Sequence, residues 1–163
     1  MVNEVSDAEV KRAQIPHNLF IAGLFVFDLL MTPAVIVLKI GMLGMLIPLL
    51  CSAVLIAYFY WRSKKTTSWF VDAHWKFAYS RGLLLLSGYA ISAILIFIAW
   101  LISLNARDAS MGHILWTALT RIALLPTLIM VMVTAVMEAS AISSATKREV
   151  PTKQAQGAPR SPD

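Results

Sequence analysis

Charge is scarce in this 163-residue chain: 14% of its residues are Asp, Glu, Lys or Arg, about half the share usual in a soluble domain. That shortage excludes a disordered chain, which stays unfolded through high charge and few apolar residues. It also argues against a basic soluble nucleic-acid binder, which relies on charge for solubility, so no nucleic-acid partner is expected. Cysteine occurs once, as Cys51, so no disulfide can form within the chain. Cys51 lies inside an apolar run, where a thiol reads as a small filler.

Chemistry-bearing motifs are equally few. There are three histidines, His17, His74 and His113, and no His-x-x-x-His, Cys-x-x-Cys, paired carboxylates or phosphate-cradling glycine loop. No local Ser–His signature is present. The chain is therefore expected to be non-enzymatic, with no metal and no cofactor. A b-type haem needs an axial ligand, commonly His. His113 falls at the opposite end of the spans from the other two, which leaves only a His17–His74 haem open.

What the chain does have is apolar length. Hydrophobic residues make up 58% and the mean hydropathy is +0.71. A helix that crosses a bilayer needs about 20 mostly apolar residues. Four stretches qualify: 19–38, 40–61, 82–104 and 114–137. The first contains one charge, Asp28, the fourth contains one, Arg121, and the other two contain none. A cleaved signal peptide is disfavoured for the first, because its leader is acidic (Glu4, Asp7, Glu9) and its apolar run is long. The expected fold is an all-α membrane protein, with four transmembrane helices in an antiparallel bundle. Around them lie an N-terminal segment 1–18, a loop 62–81 and a tail 138–163, expected to be disordered from about 147 (KREVPTKQAQGAPRSPD).

Cations orient such a protein. With four spans, both termini and loop 62–81 share one side and hold 11 Lys and Arg, whereas Lys39 and Arg107 are the two on the other. The expectation is a multi-pass protein of the cell inner (plasma) membrane with both termini in the cytoplasm. Short turns at 39–44 and 105–113 complete two helical hairpins.

Loop 62–81 concentrates Trp69, Phe70, Trp75, Phe77 and Tyr79 among Asp72, His74, Lys76 and Arg81. Amphipathic rings beside cations suit the headgroup layer. Trp69, Phe70, His74, Trp75, Lys76 and Arg81 read either as a docking surface for a partner or anionic lipid, or as an ordinary aromatic belt. The segment can continue unbroken into the third span as one long helix.

Ionisable groups at bilayer depth cost roughly 2.5–3.5 kcal/mol and usually face a partner. Counting 1.5 Å per residue places Asp28 and Arg121 at similar depths, so they are expected to pair across the first and fourth spans. The pair reads as a structural clasp, or as a polar site for an anion, a proton or a quinone-like headgroup. Pro33 and Pro126 each follow one of these charges by five residues and free a carbonyl one turn back. Glu138, at the end of the fourth span, is close in depth to His17, Arg81 and Lys76 and is expected to form an interfacial ion pair. Small residues four apart, at Ala135, Ala139 and Ser143 and at Gly88 and Ser92, permit close helix contact or dimerisation.

Two functions emerge as expectations. One is an accessory or assembly subunit of a membrane complex, with the lipid bilayer and a membrane protein, or a second copy, as partners. The other is an oligomeric small transporter or channel built on Asp28 and Arg121.

Overall fold

The computed structural model describes residues 5–38, 44, 46–65 and 68–150. All regular structure among them is helical. The first helix starts well before its apolar run. Ser6 caps α1 (Asp7–Gly23), accepting from the Glu9 backbone N–H at 3.3 Å, while Glu9 Oε2 accepts from the Ser6 backbone N–H at 3.0 Å. This reciprocal box satisfies two donors that a helix start otherwise leaves open.

Pro33 shapes the second half of this first apolar helix. It has no N–H, and its ring crowds the carbonyl one turn earlier. The chain answers by winding wider over a π-helical stretch, Leu24–Met31, before α2 (Thr32–Val37). The Thr32 hydroxyl donates to the Phe27 carbonyl five residues back at 3.1 Å, the spacing of that wider turn. Asp28 lies within the π-helical stretch.

Helix α3 (Leu46–Ser63) carries Pro48 in its first turn, where a missing N–H costs nothing. Helix α4 (Trp69–Leu104) runs for 36 residues without a break. At 1.5 Å per residue it is about 54 Å long, well beyond a ~30 Å hydrocarbon core. Its apolar stretch begins at Gly82, so residues 69–81 form a helical extension rather than an irregular loop. The fourth apolar stretch is interrupted. Helix α5 (Ala109–Ala123), capped by Asp108 onto the Met111 N–H at 2.7 Å, ends at Leu124, and α6 (Leu125–Thr146) comes next. Pro126 cannot serve the Ile122 carbonyl, which instead takes the Leu124 N–H.

Four helices are long and apolar enough to cross a membrane: Asp7–Val35, Leu46–Ser63, Trp69–Leu104 and Ala109–Thr146. The third and fourth expected stretches lie within longer helices; the first overruns its helix, which ends by Val37, and the second helix opens at Leu46, with residues 39–43 and 45 outside the described set. Tail residues 151–163 also lie outside it. Residues 147–150 leave the helix through a turn. Arg148 takes a left-handed φ of 61°. Its N–H meets the Ala145 carbonyl and the Glu149 N–H meets Ser144, closing the helix end. The Arg148 guanidinium pairs with Asp7 at 2.8 Å.

The chain divides into two compact units, residues 1–82 with 135–163, and residues 83–134. In the first, rings stack from α1 through α3 to α4: Phe20–Phe59 centroids lie 5.6 Å apart and Phe59–Trp75 5.9 Å. Gly82 lets α4 close on Ile56 of α3, because a Cβ there would lie 2.7 Å from Ile56 Cγ1. In the second, Gly88 backs onto Met130, and the Thr127 hydroxyl of α6 meets Ser92 of α4 at 2.9 Å. Close approach at small residues, sealed by hydroxyl contacts, is the packing that helices able to cross a membrane use.

Gly82→Ala tests this contact. The extra methyl meets Ile56, so overpacking of about 1–3 kcal/mol outweighs the gain in helix propensity, and the thermal unfolding midpoint in detergent falls. Adding Ile56→Ala recovers part of that loss.

Candidate functional site

Three ionisable side chains with no solvent exposure meet at the ends of the apolar stretches: His17, His74 and Glu138. Helical periodicity brings them there. His17 follows Ala13 and precedes Phe20 on the buried face of α1. His74 lies one turn after Phe70 and one turn before Ala78 on α4, all three buried. Glu138 shares the inward face of α6 with Ala141 and Ala145. Spacings of three and four residues keep each set on one face.

The three groups form a chain in series. Glu138 Oε2 lies 2.5 Å from His17 Nδ1, and His17 Nε2 lies 2.9 Å from His74 Nδ1. The two imidazoles cross at 82°, and Phe70 and Phe77 stand edge-on to His74 and His17. Aromatic walls lower the local dielectric, which strengthens a paired charge and makes an unpaired one expensive. A buried carboxylate therefore needs a cation in contact, and His17 is the group touching it. The hydrogen bonds are best used when His17 donates from both nitrogens, Nδ1–H to Glu138 and Nε2–H to the Nδ1 lone pair of His74. This assignment rests on donor–acceptor chemistry. His74 is then neutral, with its proton on Nε2 facing the Glu149 backbone, although the geometry stops short of a full hydrogen bond.

Burial, and then the neighbouring His17 charge, push His74 down to about 4, while the Glu149 backbone pulls the other way. His74 precedes the apolar stretch of its helix by two turns. Arg81, half-buried at the start of that stretch, lays its guanidinium 4.3 Å from the Phe77 ring centroid and lies within electrostatic reach of Glu138. Glu138 Oε1 and Arg81 Nη1 have no hydrogen-bond partner among the described residues.

A metal centre needs donors that converge on one point, whereas these donors succeed one another. Among the described residues no group of three or more His, Cys, Asp or Glu is arranged to hold a metal ion. His17 Nε2 and His74 Nδ1 lie 2.9 Å apart, too close to admit a haem iron between those two atoms.

The six residues expected at the interface separate by face. Trp69 and Lys76 are exposed, Lys76 bonding Asp72 at 2.6 Å, and Arg81 is half-buried. Phe70, His74 and Trp75 are buried, because positions 70, 71, 74, 75 and 78 of a helix share one side. Exposed cation–ring pairs come instead from the end of α3, with Lys65 over Trp61 at 3.7 Å and Lys64 over Tyr60 at 4.2 Å. Asp28, half-buried, accepts a hydrogen bond from the buried Ser52 hydroxyl of α3. Arg121 is exposed on α5. Asp28 and Arg121 belong to different units, so their expected pairing would join the two. Glu138, expected at the interface, is wholly buried against His17. Sequence reasoning names His17 only as a haem candidate with His74 and as one of three groups at the depth of Glu138, not as the residue that Glu138 bonds.

Removing one member of the buried pair leaves a charge without compensation. Glu138→Leu is expected to cost about 3–5 kcal/mol, read by denaturant unfolding in detergent. The double variant His17→Phe/Glu138→Leu recovers most of that loss, since the pair is then replaced by apolar volume.

No protein-family model matches the chain, and neither a curated protein nor a solved structure is significantly similar to it.

Proposed function

We propose that the chain is a multi-pass protein of the cell inner membrane, a non-enzymatic accessory or assembly subunit of a larger membrane complex. The observation that supports this reading is Arg121. It is an exposed cation on an apolar helix, eight residues into a 24-residue apolar stretch, about 12 Å from the nearer end. No side chain of its own unit pairs with it among the described residues. The negative end of α5, two residues further on, offsets part of the charge. The remainder calls for a partner, because a cation at that depth costs roughly 2.5–3.5 kcal/mol when it faces lipid alone. Beside it runs an open apolar groove between α4 and α5, lined by Leu95, Ile98, Ala99, Ile102, Ile122 and Ala123. Small residues at Ala99 and Ala123 let another helix approach closely. A transmembrane helix with a carboxylate at matching depth fits both features.

The antiparallel bundle and its orientation belong to the same proposal. Eleven cations against two favour both termini on the cytoplasmic side. A second reading, an oligomeric transporter or channel, is favoured by one observation: Asp28 sits in a π-helical stretch, a geometry frequent at functional sites, and is bonded to Ser52.

Purification in mild detergent separates the readings. An accessory subunit is recovered with foreign subunits in stoichiometric amount, and Arg121→Leu reduces their recovery at least about tenfold, a coupling on the order of 1.4 kcal/mol. A pure homo-oligomer favours the transporter, and an unaccompanied monomer contradicts both. A reporter fused at Asp108 should read as external; a cytoplasmic reading overturns the orientation.

A further inference from the structure

We infer that the His17–His74–Glu138 chain is a proton-binding latch: uptake of one proton by His74 breaks its bond to His17 and frees the start of α1 from α4 and α6. Donor–acceptor geometry supports this directly. His74 Nδ1 lies 2.9 Å from His17 Nε2 and can stay there only as an acceptor. A protonated His74 presents N–H to N–H and places two imidazolium charges side by side, both without solvent exposure. One carboxylate, already engaged by His17 at 2.5 Å, cannot neutralise both.

Among the described residues no second carboxylate is bonded to either imidazole, and the Glu149 side chain is exposed. From α1 the facing group is His17, and from α6 it is Glu138, with the Glu149 backbone just beyond the helix end. On α4 itself, Arg81 adds a further positive charge close to Glu138, and Asp72 is engaged by Lys76. Helix α3 brings two rings, Tyr58 and Phe59, and one further cation, Arg62, all against Trp75 next door.

The segment that the latch releases is also defined. The start of α1 is otherwise tied down by polar contacts nearer the surface. Ser68 Oγ donates to Glu9 at 2.5 Å, Gln14 Nε2 donates to the Thr146 hydroxyl at 2.9 Å, and Arg148 pairs with Asp7. The two exposed contacts contribute about 0–1 kcal/mol each, which leaves the part-buried Ser68–Glu9 bond as the main polar tie beside the buried chain. The buried cluster there is small: Ala13, Phe70 and Ala145, with Val5, Val10 and Val150 against it.

Linkage sets the pH window. The folded chain binds a proton at His74 less readily than the unfolded chain. The stabilisation is therefore fully present above about 6.5 and is lost as pH falls from 6.5 towards about 4. Glu9, held below its ordinary value of 4.5 by hydrogen bonds from Ser68 and Ser6, contributes its loss mainly below 4.5, after most of the His74 loss.

The test is hydrogen exchange of residues 8–20 in the full-length protein in nanodiscs of neutral lipid, from pH 7.5 to 4.5, corrected for the intrinsic rate. Opening in the native chain should rise on the order of 100-fold across that range. His74→Asn, whose amide oxygen can accept from His17 but takes up no proton, should lose most of that rise. A native profile that is flat, or identical to that of His74→Asn, overturns the latch. Should the variant not fold, imidazole ¹⁵N shifts of the native protein replace it. His74 must then gain its proton at the pH where protection is lost, and a mismatch of more than about one unit rejects the inference.

Discussion

Glu138 is a carboxylate with no exposure to solvent, and it can be buried because an imidazole from another helix meets it at 2.5 Å. Much of the first unit is organised around that contact. The pair links α1 to α6, and the second bond, from His17 to His74, adds α4. Three helices distant in sequence are thereby held in one register. The surrounding rings contribute apolar contact, but apolar contact tolerates sliding, whereas a buried ion pair tolerates little displacement. The contacts of Glu9, Gln14 and Arg148 then find their partners because the buried chain has already placed the helices.

Helix length explains where this chain of side chains can form. At about 54 Å, α4 exceeds a hydrocarbon core, and α1 and α6 also extend past their apolar stretches. The extensions pack through aromatic side chains, while the apolar stretches use Gly82, Gly88, Ser92 and Thr127 for close approach. Two packing regimes thus coexist along the same helices. Burial of rings supplies the drive in the extensions, and close contact of small residues and hydroxyls serves the apolar stretches.

Much of the fold is legible in the sequence. Long apolar runs, scarce charge and the prolines place the four helices, and Pro33 and Pro126 mark the two departures from regular α winding. The buried site is less so. In 69–81, rings that coat a headgroup layer and rings that fill a core have the same composition, and only the i, i+4 repeat of Phe70, His74 and Ala78 marks the inward face. Counting residues yields the depth of Glu138 but not its partner, because His17, Arg81 and Lys76 are all within reach. Which of them it bonds is decided by helix rotation, and a single ion pair leaves no periodic trace. The tail from 147 reads as irregular by composition, yet Arg148 and Val150 fold back onto Asp7 and the Ala13 cluster.

The buried site holds together through one proton distribution: two on His17, one on His74, none on Glu138. Imidazole ¹⁵N spectroscopy of the full-length protein in lipid at pH 7 measures it directly. Two protonated nitrogens on His17, with a neutral His74 protonated at Nε2, is the result predicted. Two neutral histidines, or a proton on Glu138, would contradict it.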